Sequence, residues 1–143
     1  MIKAKREVFV DADPERVFAY LADFTNTEHW DPATVRTELL EGQGGVGTRY
    51  ANTSRFAGRT SEIVYEVQHV TPGKAISLRG QNRFLIAHDT ITVAPKDSGS
   101  LVTYGIEFQF QGWLRWFEPL LKLAVSRLMD DGVRGLKEQL SDE

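Results

Sequence analysis

The sequence predicts an α+β fold in which a curved antiparallel sheet of about seven strands carries one long C-terminal helix, with two short helices after the first strand. Three observations point there. Residues 34–111 alternate apolar and polar side chains with period two, and turn signals cut the run at residues 42–47, at Gly58, at Pro72-Gly73, at residues 80–82 and at residues 97–99. Before that run, Asp13-Pro14-Glu15 has the composition of a helix start. After it, residues 112–140 (GWLRWFEPLLKLAVSRLMDDGVRGLKEQL) are long enough and regular enough in apolar spacing for a long helix. Such a helix needs an apolar surface to lie on, and the inner face of the sheet supplies one.

Each element has its own local reason. Residues 2–10 end in Glu7-Val8-Phe9-Val10 and read as the first strand. Asp13 then caps a helix with Pro14 in its first turn and Glu15 facing the positive end of its dipole. Val17, Phe18 and Leu21 fall on one face, so the helix runs to about Ala22. Residues 23–30 form a second helical turn that ends at Asp31-Pro32, because a residue before proline is pushed out of the helical region. Strands are expected at 35–41, 48–56, 61–70, 75–79, 84–94 and 101–111, joined mostly by hairpins.

Parity assigns the concave face. Ile63, Tyr65 and Val67 share one side of their strand, as do Ile76 and Leu78, then Leu85, Ala87, Asp89, Ile91 and Val93, and finally Val102, Tyr104, Ile106, Phe108 and Phe110. Phe84 and Ile86 are apolar on the opposite parity, and a bulge there would reverse which residues point inward. In the long helix, Trp113, Phe117, Leu120, Leu121, Ala124 and Leu128 fall in one sector, and Met129, Val133, Leu136 and Leu140 in a second, rotated stripe. A bend or a short first helix before Pro119 explains the rotation, and the main helix is expected over about 119–140. Gly132 and Gly135 imply close backbone packing or space beside them.

Composition narrows the function. The 143 residues fit a single domain over 1–143, and 41% hydrophobic with 26% charged residues is an ordinary globular balance. No signal-like or membrane-length apolar run is present, so the expected location is cytoplasmic without stable membrane insertion. The absence of cysteine removes disulfides, thiolate nucleophiles and cysteine zinc sites. A net charge of −3 gives no basic footprint for nucleic acid.

Few motifs carry chemistry on their own. Residues 42–47 spell G-x-G-x-x-G but lead into a strand, so they read as a hairpin loop and not as a phosphate cradle. His29, His69 and His88 lie in three different elements without metal-ligand spacing, and neither metal nor cofactor is expected. Asp89 on the concave face would be a carboxylate in an apolar cavity with a raised pKa, fit for acid or base work. Its structural alternative is a partner for Arg79 or Arg83. Trp113 and Trp116 could anchor a helix at a membrane, but Arg115, Lys122 and Glu118 make a mixed face, which favours core packing or a homodimer contact.

Taken in order along the chain, Asp13-Pro14 with Val17-Phe18, residues 26–30 followed by Asp31-Pro32, Gly44 and Gly47 preceding Tyr50, Pro72-Gly73, Gly99-Ser100 with Thr103, Gly112 and Leu136-Lys137 resemble the polyketide cyclase/dehydrase-like branch of the START (birch-pollen-allergen-like, SRPBCC) superfamily. The resemblance implies a helix-grip fold and a deep cavity between sheet and helix for an apolar small molecule. It does not imply one activity. Three functions follow from it: a carrier for a hydrophobic, lipid- or polyketide-like ligand; a cyclase or dehydratase acting through Asp89, Tyr65 or Tyr104; and a co-chaperone or regulatory partner protein. The expected ligand-binding residues are Phe24, Trp30, Tyr50, Phe56, Tyr65, Leu78, Asp89, Tyr104, Phe108, Val125 and Leu128. Trp30 has two readings, a gate at one end of the cavity or a lid buried permanently against the helix.

Overall fold

The computed structural model describes residues 1–56 and 58–140. Seven strands form one antiparallel sheet: β1 (Ile2–Val10), β2 (Thr34–Glu41), β3 (Arg49–Phe56), β4 (Arg59–Thr71), β5 (Ala75–Gln81), β6 (Leu85–Lys96) and β7 (Gly99–Phe110). Their spatial order is β1-β7-β6-β5-β4-β3-β2, so every neighbour after the first pair is a hairpin. Helices α1 (Pro14–Ala22) and α2 (Thr27–Trp30), joined by a 3-10 turn at Phe24–Asn26, carry the chain from one sheet edge to the other. Helix α3 (Glu118–Leu140) follows a 3-10 segment at Gly112–Phe117 and lies against β1 and α2.

The local causes are those of the sequence. Asp13 is extended, and its side chain accepts from the Arg16 amide at 3.3 Å, with Pro14 in the first turn. Asp23 caps the 3-10 turn through the Thr25 amide at 3.1 Å. Asp31 closes α2 by accepting from the Ala33 amide at 3.1 Å and the Thr34 hydroxyl at 3.0 Å. Gly42, Gly44 and Gly47 all have positive φ in the turn between β2 and β3, which confirms a hairpin there. Each strand lies within two residues of its expected bounds.

The concave parity also holds, because Ile63, Tyr65, Val67, Ile76, Leu78, Leu85, Ala87, Asp89, Ile91, Val93, Val102, Tyr104, Ile106, Phe108 and Phe110 are all buried. No bulge interrupts β6, whose register with β5 and β7 is continuous. The irregularities fall instead in β2 and between Val67 and His69. Phe84 precedes β6 and is exposed, so its parity carries no constraint.

The long helix corrects one expectation. It buries Leu121, Val125, Met129, Gly132, Leu136 and Leu140, a single stripe repeating every three or four residues. The expected first sector divides: Leu121 is buried, whereas Trp113, Phe117 and Leu120 are exposed, together with Trp116 and Leu123. The 3-10 segment turns at a different rate from an α-helix, so projecting it at 3.6 residues per turn misplaced its side chains. Arg6 clamps the helix from β1, donating to Asp130 Oδ1 at 2.8 Å and to Ser126 Oγ at 3.0 Å. At Gly135 a Cβ would collide with the Trp30 carbonyl oxygen, so this glycine lets the end of α2 touch the α3 backbone. No helix is long and apolar enough to cross a membrane among the described residues.

Candidate functional site

Two adjoining spaces open between the sheet and α3. The inner one, about 70 Å³, is lined by Phe24, Thr27, Asp31, Asn52, Ser54, Tyr65, Asp89, Tyr104, Phe108 and Leu128 among others. The outer one, about 150 Å³, lies among Phe84, Phe110, Trp113, Leu114, Leu121 and Arg59. Phe56, Ser61 and Leu85 line both and form the wall between them. Phe56 is held there by aromatic contacts, edge-on to Phe108 at 6.1 Å and stacked on Phe110 at 6.0 Å.

The two spaces differ chemically. The outer one is walled mainly by aromatic and aliphatic side chains. The inner one ends on a carboxylate, because β6 points every second residue inward and Asp89 falls on that parity between Ala87 and Ile91. Asp89 is 3% exposed. Its Oδ2 accepts from the Tyr104 hydroxyl at 3.2 Å, while Oδ1 has no hydrogen-bond partner among the described residues. Burial disfavours the charged form and the Asp31 carboxylate adds repulsion, and together they outweigh the Tyr104 hydrogen bond; the pKa is pushed up to about 7. Burial and the same two carboxylates hold the Tyr65 and Tyr104 phenols well above their ordinary range. Burial also raises Asp31, against the Ala33 and Thr34 hydrogen bonds.

Asp89 is not a salt-bridge partner for Arg79 or Arg83. Arg79 donates to Gln81 Oε1 at 2.9 Å, and the Arg83 guanidinium lies over the Phe84 ring at 5.6 Å. The three histidines are all exposed, and no group of metal-ligating side chains occurs among the described residues.

Seven of the expected residues line the inner space: Phe24, Phe56, Tyr65, Asp89, Tyr104, Phe108 and Leu128. Four stand outside that lining. Leu78 and Val125 are core residues at 1% exposure. Tyr50 is buried against Phe24 with ring centroids 5.7 Å apart, and it borders a surface depression beside Gln43 and Gly44. Trp30, also 1% exposed, packs edge-on against Tyr104 at 5.6 Å with Gly132 beside it. In this arrangement the indole is buried against α3, and Trp30 does not border either space.

Sequence reasoning missed a polar wall. Thr27 and Thr37 share a hydrogen bond of 2.6 Å, and Asn52 Nδ2 donates to Thr37 Oγ1 at 2.9 Å, all three buried. The signal was available on β3, where Asn52 and Ser54 share parity with the buried Tyr50.

A seven-stranded antiparallel sheet gripping a long C-terminal helix, with a cavity between them, is the helix-grip fold. The sequence matches the family described as polyketide cyclase / dehydrase and lipid transport over residues 1–141, and the chain belongs to that family within the START, or birch-pollen-allergen-like, superfamily. Solved structures with the same fold include the Zhui aromatase/cyclase of a Streptomyces species (TM-score 0.84, 15% identity, 96% of this chain and 92% of that one). A START superfamily protein from Mycobacterium smegmatis is similar at TM-score 0.81 and 13% identity, with 96% of each chain covered. Major latex-like protein 151 from Panax ginseng is similar at TM-score 0.73 and 14% identity, again with 96% of each chain covered. No curated protein sequence matches this one. Family and fold fit either hydrophobic-ligand binding or a polyketide cyclase role.

Proposed function

We propose that this protein binds a small, largely apolar ligand that carries one hydrogen-bonding group. The polar group meets Asp89 at the inner end, and the apolar body runs past Phe56 and Phe108 toward Phe84 and Trp113. The observation that carries this reading is the buried Asp89 carboxyl at the inner end of the cavity, with one oxygen bonded to Tyr104 and the other without a partner among the described residues. A buried acceptor left unmatched costs about 1–3 kcal/mol, and a ligand hydroxyl or N–H removes that cost on binding. An apolar space of about 150 Å³, the size of the outer one, suits a single benzene-sized ring. A longer ligand therefore requires the Phe56 ring to swing aside and join the two spaces.

A second reading rests on the same residue. A carboxyl with a pKa of about 7 is half-protonated at neutral pH, which is the condition for a general acid or base in ring closure or dehydration. In that case Tyr104 orients Asp89, and Asp89→Asn abolishes turnover of a polyketide-like substrate while leaving its binding intact.

Titrations with 2-naphthol and naphthalene test the binding reading. Wild type is expected to prefer the naphthol by roughly tenfold, the equivalent of one hydrogen bond to a charged acceptor at about 1.5 kcal/mol. Asp89→Leu should erase that preference and keep naphthalene binding. A preference unchanged in Asp89→Leu would show that the polar group of the ligand lies elsewhere.

A further inference from the structure

We infer that the protein docks on anionic lipid surfaces through residues 112–123 and the turn between β5 and β6, with the outer space opening toward the lipid. The buried stripe of α3 begins at Leu121, so the apolar side chains around it are left facing outward. Trp116 is 76% exposed, Leu123 68% and Leu120 67%, with Trp113, Phe117 and Phe84 also exposed nearby. Soluble monomers rarely show so many large apolar side chains in one patch without a use for them.

The charge around the patch selects the partner. Arg59 lines the same space as Phe84 and Trp113, Arg83 sits over the Phe84 ring, and Arg115 and Lys122 lie within the exposed segment. None of the four takes part in an ion pair among the described residues. The one carboxylate of that segment, Glu118, is paired with the Met1 ammonium at 2.9 Å. Four of the chain's seventeen lysines and arginines thus stand at this apolar patch, although the net charge is −3. The mixed charge read from the sequence shifts toward basic once the fold brings Arg59, at the start of β4, and Arg83, in the β5–β6 turn, beside Phe84 and Trp113.

Tryptophan, phenylalanine and leucine ringed by arginine and lysine are the composition of a surface lying in a bilayer interface, apolar groups among the acyl chains and cations at the phosphates. The outer space opens between Trp113, Leu114, Phe84 and Arg59, so a docked molecule would present that opening to the acyl region. Docking itself needs no ligand in the cavity, so it can be tested independently of the binding reading.

The test is co-sedimentation of the full chain with vesicles of phosphatidylcholine alone and of equal parts phosphatidylcholine and phosphatidylglycerol, read together with tryptophan emission. Binding to the anionic vesicles, with a blue shift and a loss at high salt, is the expected result. Trp113→Ser with Trp116→Ser should lower partitioning at least about tenfold, and Arg115→Glu with Lys122→Glu by a similar factor. Both double variants should melt as wild type does, since the altered side chains are exposed. Equal partitioning by wild type and variants, or no preference for the anionic vesicles, would overturn the inference. So would a wild type that stays off vesicles and sediments as a dimer that the tryptophan variant dissociates, because a second copy would then cover the patch.

Discussion

Trp30→Ala is expected to lower the free energy of unfolding by about 3 to 5 kcal/mol, the usual loss for deleting a core aromatic. The indole is 1% exposed and fills the space between α2, α3 and Tyr104. The site cannot collapse to fill the gap, because the Trp30 carbonyl already abuts Gly135 and fixes how far α2 can move. Trp30→Phe should cost much less, since the indole Nε1 has no hydrogen-bond partner to lose. Denaturant midpoints at unchanged slope measure both variants. A loss below about 1 kcal/mol for Trp30→Ala would place the indole at a rim, contrary to its packing here.

Asp89 should make the protein less stable as pH rises. In the unfolded chain the carboxyl ionises near 3.8; in the fold it does so at about 7. Between those values the native state holds a proton that the unfolded state has released, so stability falls with rising pH across that window and levels off above it. The penalty at the top of the window is on the order of a few kcal/mol. Asp31, raised by burial as well, acts in the same direction. The comparison that isolates Asp89 is wild type against Asp89→Asn: the variant should show a flatter profile from pH 4 to pH 7 and be the more stable protein above it. Parallel profiles would mean that Asp89 ionises normally in the fold.

Most of the fold was legible because period-two alternation and glycine or proline turns act locally. Tyr65, Asp89 and Tyr104 could be brought to one face by parity alone, before any knowledge of how the strands pair. The 3-10 segment was not legible, because its side chains follow a different rotation, and Trp113 and Phe117 were grouped with the buried Leu121 for that reason. Trp30 was undecided because its burial depends on Gly135, more than a hundred residues away, where the missing side chain admits the α2 backbone. The wall of Thr27, Thr37 and Asn52 was missed because parity was not carried to β2 and β3, and because Thr27 lies on α2, where strand parity says nothing. Those three polar groups face inward because each finds a hydrogen-bond partner there.

Native mass spectrometry of freshly purified protein tests most directly whether the space between sheet and α3 is a ligand site. Leu128 lines the inner space, and Leu128→Trp would fill it. Wild type is predicted to carry a small apolar molecule from the expression host, or to take one up as a one-to-one adduct with 2-naphthol, and Leu128→Trp to carry neither. A wild type bare in both conditions, or an adduct held equally by Leu128→Trp, would contradict a cavity site.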